Sequence, residues 1–107
     1  MIVSILAVIS FFSFGQNFPE RTIRLIVPFT PGGGTDTVSR QLIDKMTQEY
    51  KWSVVIDNKP GAGGNIGLDL VAKAKPDGYS IAMGQTSNLA INPALLNKMP
   101  FDAGKDF

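Results

Sequence analysis

Three consecutive glycines before a predicted helix are the residues of this chain best suited to binding a ligand: Gly32, Gly33 and Gly34. Glycine leaves backbone N–H groups uncovered and readily adopts left-handed conformations. The first turn of a helix also carries unpartnered N–H groups and a partial positive charge, so this arrangement favours an anion such as a carboxylate or a phosphate. Thr35 and Asp36 compete with that role, because either side chain can cap the helix. The alternative is a tight turn that requires glycine only for its geometry.

Two further loops of small and polar residues also precede predicted helices. The sequence PGAGGNIG at residues 60–67 again places glycines before a helix, and Asn65 is the expected N-cap. Thr86, Ser87 and Asn88 follow the third apolar run, and residues of these types are common in turns. These residues are candidates for a binding site only if the fold brings all three loops to one edge of the sheet.

Composition and spacing exclude several classes of function. The 107 residues contain no His and no Cys, which removes thiol nucleophiles, Ser-His-Asp triads and the commonest metal ligands. Ten basic and nine acidic residues give a formal net charge of +1, so no basic field attracts nucleic acid. A dinucleotide fingerprint needs a glycine where Thr37 stands, and no Gly-Lys-Ser/Thr of a phosphate-binding loop occurs. We therefore expect no cofactor, no metal and no nucleic-acid partner, and the case for nucleotide binding is weak.

Short β-rich runs alternate with predicted helices along the chain. The runs cover residues 23–27, 53–56 and 79–83, and apolar spacing predicts helices over 38–50 and 66–74. Asn92 and Pro93 are typical of the N-cap and the first turn of a third helix, which we expect to run through Leu95, Leu96 and Met99. This alternation predicts an α/β fold with a parallel sheet, whose mostly apolar strands indicate helices on both faces. In such a sheet every strand-to-helix loop lies at the same edge, where the ligands of open α/β folds bind.

The two ends of the sequence carry other signals. Residues 2–12 are apolar apart from two serines, which is too short to span a bilayer but suits a secretory signal. Small residues at positions 13 and 15 predict cleavage before Gln16, so we expect a signal peptide at residues 1–15 and a mature chain at residues 16–107; a buried strand or core helix is the alternative. The last seven residues, FDAGKDF, are typical of a linker toward another element, so we expect the chain to be a fragment.

Taken together, the motifs resemble one protein family. The segments IRLIVPFTPGGGTD (23–36), DNKPGAGGNIG (57–67), AKPDGY (74–79) and INPAL (91–95) are similar, in this order, to receptors of the tripartite tricarboxylate transporter family, the Bug-type periplasmic solute-binding proteins. The resemblance covers essentially everything after the predicted signal. It implies an α/β fold that is part of the first lobe of a two-lobed periplasmic-binding-protein (flytrap) architecture, with the second lobe absent.

The resemblance also implies a function and a site. Such a receptor is expected in the periplasm as a monomer, where it captures a small carboxylate and delivers it to membrane permease subunits without performing catalysis. In these receptors the loop after the first strand holds a ligand carboxylate, often through ordered water. The ligand-binding residues implied here are Phe29, Thr30, Pro31, Gly32, Gly33, Gly34, Thr35, Asp36, Gly63, Gly64, Asn65, Thr86, Ser87 and Asn88.

Two other interpretations stay open at this stage. One is a fragment of a Rossmann-like nucleotide-binding enzyme, which would use glycine-rich loops at the same edge of a parallel sheet. The other is a non-functional remnant, because a flytrap closes between two lobes and half a cleft is expected to bind weakly or not at all.

Overall fold

The computed structural model describes residues 17–107, so the predicted signal peptide lies outside the described residues. Strands and helices alternate along the chain; in order they are β1 (Ile23–Val27), α1 (Gly34–Tyr50), β2 (Val54–Asn58), α2 (Asn65–Ala72), β3 (Ser80–Ala82) and α3 (Asn92–Leu95). A 3₁₀ turn at Ala62–Gly64 precedes α2, and a wide π-type turn at Ser87–Ile91 runs into α3. Within this part of the chain no helix is long and apolar enough to cross a membrane.

Strand β1 lies at the centre of a three-stranded parallel sheet with the order β2-β1-β3. Leu25 in β1 lies opposite Ile56 in β2 and Ile81 in β3. Because β2 and β3 flank β1 on opposite sides, right-handed crossovers place α1 and α2 on opposite faces of the sheet. Every residue of β1 except Arg24 is buried, as this central position requires. The predicted α/β class with a parallel sheet is confirmed.

A small apolar core holds α1 against the sheet. Its buried members are Leu25, Val27 and Ile43, and the half-buried side chains packed on them are Met46, Val54, Ile56 and Met83. On α2, Leu68 is fully buried. Complete burial of one such side chain contributes about 1.5–3 kcal/mol. These contacts therefore fix both helices on the sheet, and with them the loops from which the helices start.

Aromatic side chains close the edge of the sheet at the amino ends of the strands. The ring of Phe18 lies 5.0 Å from that of Tyr79 and 6.0 Å from that of Trp52. The guanidinium group of Arg21 lies 3.9 Å from the centre of the Tyr79 ring and pairs with Asp77 at 3.0 Å. These contacts tie the segment before β1 to the starts of β2 and β3. Trp52 thus packs among other aromatic side chains at this edge, and the loops of interest lie at the other edge.

The boundaries of two helices differ from the prediction. Helix α1 begins at Gly34, four residues before the first apolar position of the predicted helix, because polar residues form its first turn. The segment 87–91 is helical rather than a loop, and Asn92 is no N-cap, since its φ of −58° and ψ of −42° continue the helix. Leu96 is extended, so α3 ends at Leu95 and is shorter than predicted.

Candidate functional site

The loop between β1 and α1, residues 28–33 (loop A), leads into a helix terminus that no side chain caps. Gly33 is the N-cap residue of the 17-residue helix α1, and no side chain bonds to the first amides. Gly32 has a φ of +82°, a left-handed conformation that glycine adopts without strain. The first amide groups of α1 and its partial positive charge therefore have no protein cap, which leaves them available to an anion.

Asp36, in the first turn of α1, is the centre of a buried polar cluster. The residue is 2% exposed and accepts hydrogen bonds from Gly32 N at 2.9 Å, Arg40 Nε at 2.8 Å and Asn58 Nδ2 at 2.9 Å. The bond from Arg40, followed by those from Gly32 and Asn58, holds the pKa of Asp36 well below its ordinary value. The prediction that Asp36 caps the helix is wrong, because the amide that it binds lies in loop A, before the helix begins.

Thr35 also links two segments rather than capping the helix. Its Oγ1 accepts a hydrogen bond from Nε2 of Gln85, which follows β3, and Gln85 Oε1 accepts one from Ser87 Oγ at 3.4 Å. An open groove of about 560 Å³ follows this junction and is lined by Gly34, Thr35, Val38, Met83, Gly84 and Gln85. The polar groups of this lining are uncharged hydroxyl, amide and backbone groups beside the uncapped start of α1.

The second glycine-rich loop is packed tightly against the segment that follows β3. A Cβ atom on Gly64 would lie 2.4 Å from Nδ2 of Asn88, and Asn88 Oδ1 accepts a hydrogen bond from Gln85 N at 2.9 Å. Asn65 is the first residue of α2 rather than its N-cap, which is Gly64. The Oδ1 of Asn65 accepts a hydrogen bond from Asn92 Nδ2 at 3.1 Å. Asn65 and Asn88 are both buried, so their side chains hold the loops together.

All three predicted loops meet at the carboxyl-end edge of the sheet. Thr35 and Gln85 join the first loop to the third, and Gly64 and Asn88 join the second to the third. The first and second loops also touch, because a Cβ on Gly64 would lie 3.0 Å from Cζ of Phe29. Between residues 17 and 107, no group of three or more His, Cys, Asp or Glu residues could hold a metal ion.

Two residues at this edge, Asn58 and Gln85, were not among the predicted ligand-binding residues. Asn58 is the last residue of β2, which ends two residues later than predicted, and its Nδ2 donates to Phe29 O at 3.1 Å as well as to Asp36. Gln85 lies three residues after the end of β3. Both stand at carboxyl ends of parallel strands, so the same rule that selected the loops could have selected them.

Comparison with known proteins identifies the family of this chain. The family model described as the tripartite tricarboxylate transporter family receptor matches residues 38–107, which is more than half of the chain. This chain belongs to that receptor family. The Bug-type family predicted from the motifs is thereby confirmed.

Three solved structures with similar sequence show the same fold as this member of the receptor family. The periplasmic binding protein BugD is 40% identical with a TM-score of 0.78, over 84% of this chain and 30% of BugD. MatC from Rhodopseudomonas palustris with bound malate is 38% identical with a TM-score of 0.79, over 84% of this chain and 31% of MatC. Rpa4515 from R. palustris, solved with adipate, is 38% identical with a TM-score of 0.77, over 82% of this chain and 29% of Rpa4515.

The chain corresponds to one part of these larger proteins. It spans 26–28% of the length of curated relatives such as BugT of Bordetella pertussis. The structural matches likewise cover about three tenths of each solved chain. The predicted fold, a parallel α/β unit forming part of a periplasmic binding protein, is confirmed by these matches.

Proposed function

We propose that this chain supplies part of the first lobe of an extracytoplasmic receptor that captures a small carboxylate, and that the start of α1 binds one carboxylate group of the ligand. The observation that carries this proposal is the uncapped, glycine-flanked amino terminus of α1 at the carboxyl-end edge of the sheet. Helix termini of this kind bind anions through free amide groups and a partial positive charge. Loop A and the segment 86–88 flank that position as candidate ligand-binding segments.

The chemistry of the surrounding groups supports an anionic ligand. Gly33 and Gly34 carry no side chain to cover the first amides of α1. The Thr35 hydroxyl and the second N–H of the Gln85 amide can donate hydrogen bonds to a carboxylate, and Ser87 Oγ donates to the oxygen of that amide. The negative charge of Asp36 is compensated by its ion pair with Arg40 at 2.8 Å, which reduces its repulsion of an incoming anion.

Dicarboxylates and tricarboxylates are the proposed ligand class. Malate in MatC and adipate in Rpa4515 both carry two carboxylate groups. The arrangement described here offers one helix terminus, which suits one carboxylate, so we place the partners of the second carboxylate on an opposing lobe. The receptor is further proposed to act in the periplasm as a monomer, to be secreted through residues 1–15, and to pass its ligand to membrane permease subunits without catalysing a reaction.

Isothermal titration calorimetry tests this proposal on the protein expressed from its complete reading frame, with malate, adipate and citrate as titrants. We expect saturable one-site binding of at least one of them. The informative variant is Gly33→Asp, because aspartate is a favourable N-cap residue that stabilises a helix by a few tenths of a kcal/mol relative to glycine. Its carboxylate would occupy the first amides of α1 and repel an anionic ligand, so affinity should fall by at least about tenfold while stability is kept.

Gly33→Asn is the matched control, because asparagine caps the same amides without a charge. The difference in affinity between the two variants measures charge repulsion at the start of α1. If Gly33→Asp binds the ligand as tightly as the unmodified protein does, the carboxylate lies elsewhere and the proposed site is wrong. If no carboxylate binds the unmodified protein, the proposed function itself is wrong.

A further inference from the structure

Loop A is held in place by two side chains that lie outside it. Asn58, at the end of β2, donates from Nδ2 to Phe29 O at 3.1 Å and to Asp36 Oδ1 at 2.9 Å. Asp36, on α1, accepts a hydrogen bond from Gly32 N at 2.9 Å. The two anchored points of loop A, Phe29 and Gly32, are thus joined to each other through one amide and one carboxylate.

The loop itself supplies little that would order its backbone. Thr30, Pro31 and Gly32 are exposed, and the turn that they form is closed by a long hydrogen bond from Gly33 N to Thr30 O at 3.4 Å. Fixing the backbone of one residue costs about 1–2 kcal/mol of conformational entropy, and glycine loses more freedom than other residues. The order of loop A therefore depends on the contacts made by Asn58 and Asp36.

Arg40 completes this arrangement and sets the orientation of the Asn58 amide. Its Nε bonds to Asp36 Oδ2 at 2.8 Å, and its Nη2 lies 3.4 Å from Asn58 Oδ1. The Nδ2 of Asn58 faces two oxygen acceptors, whereas its Oδ1 faces a cation. Each polar atom of the Asn58 side chain therefore has a complementary partner, and the amide has a single favourable orientation.

We infer that Asn58 is a positioning residue of the carboxylate site, which acts through Asp36 and Phe29 to hold loop A in the conformation that leaves the start of α1 open to a ligand. This inference rests on the proposed function, since the ligand is the carboxylate proposed above. A preorganised loop binds more tightly because it does not have to be ordered when the ligand arrives. The side chain of Asn58 itself is committed to Asp36, Phe29 and Arg40, so it need not touch the ligand.

Three variants of the complete protein test the inference by calorimetric titration with malate, adipate and citrate. Asn58→Ala removes both donated bonds and should weaken binding by about tenfold, equivalent to 1.4 kcal/mol. Asn58→Asp places a carboxylate beside Asp36 and should weaken binding further. The double variant Asp36→Asn with Asn58→Asp restores a donor–acceptor pair between the two side chains and keeps a carboxylate within reach of Arg40. It does not restore the hydrogen bond to Phe29 O, so it should recover part of the affinity that Asn58→Asp loses.

Asn97→Ala, at an exposed asparagine in the segment after α3, is the matched control and should bind like the unmodified protein. A purely structural role for Asn58 would lower the unfolding midpoint without changing the affinity of the folded fraction, and it would give no recovery in the double variant. If Asn58→Asp binds within about twofold of the unmodified protein, the inference is overturned.

Amide hydrogen exchange of the ligand-free protein provides a readout that does not depend on the proposed function. In Asn58→Ala, the hydrogen-bonded amides of Gly32 and Gly33 should exchange at least about tenfold faster, while those of the last two turns of α1 should be unchanged. Unchanged exchange in loop A would refute the role of Asn58 even if a carboxylate binds. Faster exchange together with an absence of carboxylate binding to the unmodified protein would leave the loop contacts established and refute only the proposed function.

Discussion

Replacing Gly64 by alanine should destabilise the fold for two reasons. The added Cβ is incompatible with the backbone conformation at this position, and it would clash with neighbouring side chains. Gly64 has a φ of +93°, which L-residues rarely adopt. A Cβ there would lie 2.4 Å from Asn88 Nδ2 and 3.0 Å from Phe29 Cζ. The Asn88 side chain is fully buried and its Oδ1 is bound to Gln85 N at 2.9 Å, so it cannot turn away without losing that hydrogen bond.

The expected loss of unfolding free energy has two contributions, one from the backbone conformation and one from the packing. Forcing a residue with a Cβ into a left-handed conformation costs about 1–2 kcal/mol. Forcing an extra methyl group into a packed region typically costs about 1–3 kcal/mol. The substitution Gly64→Ala should therefore lower the free energy of unfolding by about 2–5 kcal/mol, and the displaced Asn88 should disturb Gln85 at the candidate site.

The variant Gly63→Ala separates the cost of the backbone conformation from the cost of the steric clash. Gly63 also has a positive φ, of +63°, but a Cβ there would meet only Asn92 Nδ2 at an ordinary 3.5 Å. Urea unfolding followed by circular dichroism should show a loss of about 1–2 kcal/mol for Gly63→Ala, so the two variants should differ by about 1–3 kcal/mol. Equal unfolding free energies for the two variants would refute the close packing of Gly64 against Asn88.

Three further predictions concern the charge of Asp36, the contact of Gln85 with the ligand, and the aromatic contacts of Phe18 at the other edge of the sheet. Because the pKa of Asp36 is lowered in the folded protein, the ionised side chain contributes fully to folding stability above its ordinary pKa of 3.8. This contribution declines at lower pH. Urea midpoints of Asp36→Asn should thus lie well below those of the unmodified protein at pH 7 and approach them toward about pH 2; a constant gap would contradict this. Gln85→Ala removes an amide beside the start of α1 and should weaken carboxylate binding in calorimetry by about threefold to tenfold, and an unchanged Kd would exclude contact. Phe18→Ala removes two aromatic contacts and should cost about 1–3 kcal/mol of stability while leaving carboxylate affinity unaltered, and a change in affinity would show coupling between the two edges.

Local patterns in the sequence predicted the elements that are determined by neighbouring residues. The apolar run of β1 was predicted with its observed bounds because a central parallel strand is buried on both faces and so carries almost no polar residue. The common edge of the three loops followed from the alternation of strands and helices alone. The start of α1 was missed because its first turn, Gly34 to Thr37, contains no apolar residue to extend the helical spacing.

Polar residues whose partners are distant in sequence were the ones that local patterns misassigned. Asn65 was expected to cap α2, yet it binds Asn92, which is 27 residues away. Asp36 was expected to cap α1, yet it binds Asn58, 22 residues away. A local rule prefers the cap because short polar side chains bond to nearby amides in most contexts. Only the assembled sheet places the distant partner within reach.

Burial divides the candidate residues into those that build the site and those that remain available to a ligand. Asn65, Asn88 and Asp36 are buried and bonded to other parts of the protein, so they position the loops. What remains at the edge is mainly backbone amide from the start of α1, together with the hydroxyl and amide groups of neighbouring side chains. Backbone amides recognise any carboxylate, so under the proposed function the start of α1 is expected to contribute affinity for the anionic group. The choice among carboxylates is then expected to depend on Gln85, its neighbours and the proposed opposing lobe.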